Sequence, residues 1–143
     1  MIDDMDVEDD QVGLKIPALT DRIDEVYRYV ETCMHDAELD GSKMHNIMTA
    51  CAEIFTNIAK YAYLPNAGDV MLDIVIMPDQ VVLEFRDGGR PFNPVAQAPP
   101  DLSVPADERE PGGLGIFLVK QMMDEMDYKY ESGQNVLRMR KDR

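Results

Sequence analysis

Residues 44–63, MHNIMTACAEIFTNIAKYAY, constrain the fold more than any other stretch. At about 100° per residue, Met44, Ile47, Met48, Cys51, Ile54, Phe55, Ile58 and Ala62 share one side of a helix. Asn46, Ala50, Glu53, Asn57 and Lys60 share the other. A helix with one apolar side must lay it on a core, so the chain needs a second layer to cover it. Taken alone, the polar side reads as a solvated face, as most such faces are. It nevertheless carries Glu53 and Asn57 one turn apart, and a carboxylate and a carboxamide so placed can address one small ligand.

The flanking sequence supplies the second layer. Gly13 to Ile16 reads as a short strand before Pro17. Thr20 is a candidate N-cap for a helix over 20–36, where Ile23, Val26, Tyr27, Val30 and Met34 repeat at helical spacing. Ser42 is a candidate cap for the central helix, which breaks at the Leu-Pro-Asn-Ala-Gly run 64–68. Residues 70–77 and 81–86 then form two strands around a Pro-Asp-Gln turn and should pair antiparallel, with Val81, Leu83 and Phe85 on one face. Ile116, Val119, Met123 and Met126 mark a helix after Gly115, and 127–131 and 135–140 form another antiparallel pair. The expected fold class is α+β: a two-layer sandwich of a mixed or antiparallel sheet, four or five strands wide, with helices on one face.

Composition narrows the function classes. The 143 residues are enough for one domain with a substantial core. Fourteen Lys and Arg against 28 Asp and Glu give a net charge of −14, which argues against nucleic-acid and anionic-membrane partners, since both require clustered cations. Six acids fall in the first ten residues, so 1–12 is expected to be a disordered acidic tail and 13–143 the domain. Cys33 and Cys51 lie in apolar helical contexts and read as core thiols. His35 and His45 lack metal-ligand spacing and read as surface residues. With no leader-like segment and no apolar run of about 20 residues, the expected location is cytoplasmic.

Three further features point to phosphate chemistry. Neither a G-x-x-x-x-G-K-[ST] loop nor a strand-linked G-x-G-x-x-G is present. Gly112, Gly113, Leu114 and Gly115 instead open a helix, where free N–H groups and the helix dipole favour an anion; a plain hinge is the competing reading. Asp87 ends an apolar strand and is followed by Gly88 and Gly89; it can accept from a base amine or simply start a turn. Residues 91–111 hold six of the nine prolines and almost no apolar periodicity, which reads as a lid.

In that order, Glu53-x-x-x-Asn57, Asp87-x-Gly89 and Gly112-Gly113-Leu114-Gly115 resemble the ATP-binding domain shared by gyrase-type topoisomerases, sensor histidine kinases and certain anti-sigma kinases. The stretches AEIFTNIAKYAY, RDGGRPFNP and GGLGIFLVKQMMDEMDYKYESGQNVL are most similar to the small free-standing anti-sigma-factor serine kinases, over about residues 14–141. The resemblance implies a Bergerat-type fold and binding of ATP with Mg²⁺. It implies that Asn57 coordinates Mg²⁺, that Asp87 recognises the adenine amine and that Gly89 leaves room for the base. Gly112, Gly113, Leu114 and Gly115 would hold the phosphates under a lid of residues 93–113, with Arg109 near the γ-phosphate. Glu53 would be the general base. The implied partners are a STAS-domain anti-anti-sigma factor, which is phosphorylated on a hydroxyl, and a sigma factor, which is sequestered. The alternative is a non-catalytic switch that holds a regulator according to the bound nucleotide. Oligomeric state stays open, a homodimer being one option. Lys60-Tyr61 stands where the family often has histidine, and the lid is unusually acidic and proline-rich.

Overall fold

The computed structural model describes residues 13–64, 66–99, 101–108 and 113–143. The expected acidic tail, Arg109 and Gly112 lie outside the described residues. Five strands, β1 (Leu14–Pro17), β2 (Asp69–Ile76), β3 (Gln80–Asp87), β4 (Glu125–Glu131) and β5 (Gln134–Asp142), form one sheet in the order β1-β2-β3-β5-β4. Every pairing is antiparallel, so of the two sheet types expected the antiparallel one is found. Three helices, α1 (Ile23–Met34), α2 (Gly41–Tyr61) and α3 (Gly113–Met122), complete the α+β sandwich.

Alternation along the strands decides which face the helices cover. Val70, Leu72 and Ile74 of β2, Val81, Leu83 and Phe85 of β3, and Leu137 and Met139 of β5 are buried. They join one core cluster with Val26 and Val30 of α1, Ile47, Cys51, Ile54, Phe55 and Ile58 of α2, and Val119 of α3. Phe55 is fully buried at the centre of α2, and a side chain of that size contributes about 1.5–3 kcal/mol by leaving water. The opposite sheet face is polar: Glu84 accepts from Arg86 Nε at 2.7 Å and pairs with Arg138 Nη2 at 2.9 Å.

Local details differ from the sequence reading. Thr20 caps no α-helix; residues Thr20–Arg22 form a 3-10 turn, and α1 begins at Ile23 without a side-chain cap. Asp40, not Ser42, caps α2: its Oδ1 accepts from Lys43 N at 2.9 Å, and Ser42 Oγ donates to the same oxygen at 2.8 Å. A carboxylate is the stronger acceptor for the positive end of a 21-residue helix. Met126 belongs to β4 rather than to the last helix, which ends at Met122. Cys51 is buried as expected, Cys33 is half-buried, and both histidines are exposed.

The polar side of α2 is solvated only in part: Lys60 at its end is exposed, but the middle is covered. Ala50 is fully buried and Glu53 and Asn57 are half-buried, because α3 packs alongside α2. That second helix turns an ordinary amphipathic pattern into one wall of a site.

Candidate functional site

β3 carries its apolar column Val81-Leu83-Phe85 on the core face, and period-two alternation puts Asp87 on the same face. Asp87 is therefore only 6% exposed. Its Oδ1 accepts from Gly89 N at 2.9 Å and from Asn135 Nδ2 at 3.0 Å. Among the described residues nothing donates to its Oδ2. Burial pushes its carboxyl above the ordinary aspartate range, and the Asn135 and Gly89 donors partly offset that. A buried carboxylate with one free oxygen is the kind of acceptor that an apolar base with an exocyclic amine needs.

That carboxylate stands in a pocket of about 440 Å³. Ile54, Ile58, Phe85 and Leu137 give it apolar walls, while Asn57, Asp87 and Asn135 supply polar groups. Volume and lining suit a planar heterocycle held by a few hydrogen bonds. Tyr61, Arg90, Phe92 and Tyr128 complete the lining toward solvent.

Asn57 lies in the pocket wall and Glu53 one turn back along α2, where α3 begins. A side-chain Cβ at Gly115 would overlap Glu53 Oε1 and stand 3.4 Å from its Cδ. Only glycine there lets the carboxylate lie against the first turn of α3, whose leading N–H groups have no helical partner. Asp87 and Asn57 thus share the pocket, Glu53 lies one helical turn beyond Asn57, and Gly115 lies against Glu53 in the helix that Gly113 opens. Leu114 lies in the same first turn.

The Asp-Gly-Gly turn is bound to the end of α2. A Cβ on Gly89 would approach Ala62 C and Cβ to 2.7 Å, and Arg90 N donates to Ala62 O at 3.0 Å. The room that the missing side chain leaves at Gly89 is occupied by the helix end. Tyr63 fastens the neighbouring residue: its hydroxyl accepts from Gly88 N at 2.6 Å and donates to Asp69 O. Burial raises the Tyr63 hydroxyl above the ordinary tyrosine range, which keeps it a neutral donor.

The expected lid is only partly free of structure. Two one-turn 3-10 helices, Pro94–Ala96 and Ala106–Glu108, interrupt it. Asn93 Oδ1 caps the first, accepting from Val95 N at 2.9 Å and Ala96 N at 3.2 Å. Lys120 Nζ of α3 donates to Val95 O at 2.9 Å and Gln97 O at 2.8 Å. Residues 92–97 are therefore tied to the body.

A family model described as the histidine kinase-like ATPase domain matches residues 16–141. The chain belongs to that family. Among similar proteins, serine-protein kinase RsbW of Bacillus mycoides (strain KBAB4) is 23% identical over 132 residues, covering 90% of this chain and 82% of that protein. RsbW of Bacillus cereus (strain AH187) is 22% identical with the same coverage. The histidine kinase domain of the blue-light-activated histidine kinase EL346 from Erythrobacter litoralis superposes with a TM-score of 0.53 at 15% identity. That superposition covers 87% of this chain and 60% of the other, and it establishes the shared fold alone.

The Oδ2 of Asp87, without a donor among the described residues, fits an amine-bearing base, and the leading N–H groups of α3 are of the kind that receive phosphate. Among the described residues no group of three His, Cys, Asp or Glu side chains could hold a metal. Mg²⁺ carried by a nucleotide takes only one or two protein ligands, and the Asn57 carbonyl in the pocket wall is the candidate. Also among the described residues, no helix is long and apolar enough to cross a membrane.

Sequence reasoning missed Asn135, Tyr128 and Tyr63. Asn135 follows a tight turn and shows no spacing relation to Asp87; only the β3–β5 register puts them opposite each other.

Proposed function

We propose that this chain is an ATP-dependent protein serine kinase of the anti-sigma type, acting in the cytoplasm. It phosphorylates a STAS-domain anti-anti-sigma factor and sequesters a sigma factor. The observation that carries the reading is Glu53 lying against Gly115 at the start of α3, one turn from Asn57, which lines the same pocket as Asp87. A base pocket, a metal ligand, an anion-binding helix start and a carboxylate base then follow in the order that phosphoryl transfer requires. The similarity to proteins named serine-protein kinase supports serine as the acceptor.

ATP with Mg²⁺ supplies the phosphoryl group and neutralises its charge. In this reading Asp87 accepts from the base amine through Oδ2, and Asn57 offers its carbonyl to the metal. The α3 N–H groups and Gly113 receive phosphate oxygens, and Gly112, Leu114 and Arg109, their neighbours in sequence, would contribute. Glu53 takes the serine hydroxyl proton as the oxygen–phosphorus bond forms and ADP departs. Adding about two negative charges to the partner then weakens its hold on a chain of net charge −14.

The test is phosphate transfer from Mg·ATP to a STAS-domain protein, read by phosphoserine mass spectrometry. Glu53→Ala is expected to keep near-native ATP affinity and lose about 10²-fold or more in transfer. Asn57→Ala is expected to lose both. Native-rate transfer by Glu53→Ala overturns Glu53 as the base, whereas a wild type that binds ATP but transfers no phosphate to any STAS-domain protein favours the nucleotide-dependent switch. A wild type that binds no ATP overturns both.

A further inference from the structure

On the core face of β5, Leu137 and Met139 are apolar and buried, and Asn135 is the exception. On β3 the exception is Asp87, and the two are register partners. A buried carboxamide is costly unless its donors and acceptor are all used, and here they are. Asn135 Nδ2 donates to Asp87 Oδ1 at 3.0 Å, Arg90 O at 2.9 Å and, at longer range, Gly89 O at 3.4 Å. Its Oδ1 accepts from Phe92 N at 3.1 Å and from the Tyr128 hydroxyl. One side chain thus joins the carboxylate in the pocket, the turn that follows it, the start of the 91–99 loop, and β4. It keeps no hydrogen bond for a ligand.

We propose that Asn135 is a positioning residue for nucleobase recognition. By filling Oδ1 it leaves Oδ2 of Asp87 as the acceptor that faces the base. Through Phe92 it ties that carboxylate to the loop, so that base recognition and the conformation of the loop's first residues are one unit. The proposal rests on the ATP-binding reading above. An apolar residue would fill the same space as Leu137 does, but it would leave Oδ1 with one donor fewer and the Phe92 N–H without its acceptor.

The test uses the full chain and Mg·ATP titrations at several pH values between about 5 and 8, each variant read as a ratio to wild type so that titration of ATP cancels. The other groups facing Asp87 are Tyr63 at the end of α2, Tyr128 on β4 and Arg90 in the pocket lining. The two tyrosines are raised by burial, and arginine is a permanent cation, so none of the three changes charge in this range. Asn135→Ala removes a donor that favours the ionised carboxylate, so Asp87 protonates at higher pH. Its affinity ratio should be about tenfold down near neutrality and fall further as pH drops. Asn135→Asp keeps the shape but needs a proton shared with Asp87, so its ratio should fall as pH rises. Ratios that are flat in pH for both folded variants overturn the positioning role. Without nucleotide, hydrogen exchange at the Phe92 amide should quicken in Asn135→Ala and stay near native in Asn135→Asp. Unchanged exchange in Asn135→Ala overturns the tie to the loop. A wild type that binds no ATP removes the nucleobase role together with the function reading, and the exchange arm still decides the tie.

Discussion

Gly88 and Gly89 are adjacent, yet replacing each with alanine should have opposite consequences. A Cβ on Gly89 would press on Ala62 C and Cβ at 2.7 Å, and backbone at a helix end cannot step aside as a flexible side chain can. Overlap of this kind costs about 1–3 kcal/mol. Moving the turn to relieve it stretches the hydrogen bonds from Arg90 N to Ala62 O and from Gly89 N to Asp87, at about 1 kcal/mol each. The total is about 3–5 kcal/mol, a fall in Tm of roughly 10–20 °C for a chain of this size. A Cβ on Gly88 meets only Tyr63 Oη at 3.6 Å, an ordinary contact. Neither glycine has positive φ, so backbone strain adds nothing to the comparison. Gly88→Ala should therefore be neutral, or more stable by up to about 1 kcal/mol through a narrower unfolded ensemble. Thermal unfolding of both variants, followed by ATP titration of whatever remains folded, decides it. If the two variants melt within about 2 °C of each other, the close approach of the turn to α2 is not what requires glycine at position 89.

Asp87→Asn should hold or gain thermal stability, since it keeps an acceptor for Gly89 and Asn135 while removing a buried charge, yet lose about tenfold or more in ATP affinity by calorimetry. Because burial raises the Asp87 carboxyl, the aspartate's contribution to stability is present below its unfolded pKa and lost as pH rises through its folded one. Binding has the opposite sign: a base amine selects the ionised form, so affinity measured against pH should fall as pH drops through the raised value. Gly115→Ala displaces the end of the Glu53 side chain, so it should leave Tm unchanged or higher while transfer assays lose about 10- to 100-fold; native-rate transfer would contradict the role of that contact. In the β4–β5 hairpin, Ser132 (φ 54°) precedes Gly133 (φ 77°) in a two-residue turn, and Ser132→Asn should raise stability by about 0.5–1 kcal/mol in thermal melts.

Periodicity was enough to read the layers of this protein. The two-sided pattern of 44–63, the alternation of 81–86 and the turn residues between strands are local signals, and each element formed close to where its pattern lies. Element ends were less legible: Thr20, Ser42 and Met126 had the right residue type for a role that a neighbour, or a strand, took. Glu53, Asn57, Asp87 and the glycines stood out as ordered motifs, because a short segment must carry both the reactive group and the backbone that admits a ligand. What they do to one another was not local. That the polar side of α2 is covered followed from α3 packing on it, across more than fifty residues of chain. Gly89 reads in sequence as space for a ligand, and only the end of α2 lying against it shows that protein fills the space. Asn135 lay in a stretch that carried the family resemblance, but nothing in the sequence tied it to Asp87. A strand pattern tells which face a residue takes, but the partner across the ladder depends on the register of strands 48 residues apart. The carboxylate was legible in the chain, whereas the environment that buries it, fills one oxygen and frees the other belongs to the assembled sheet.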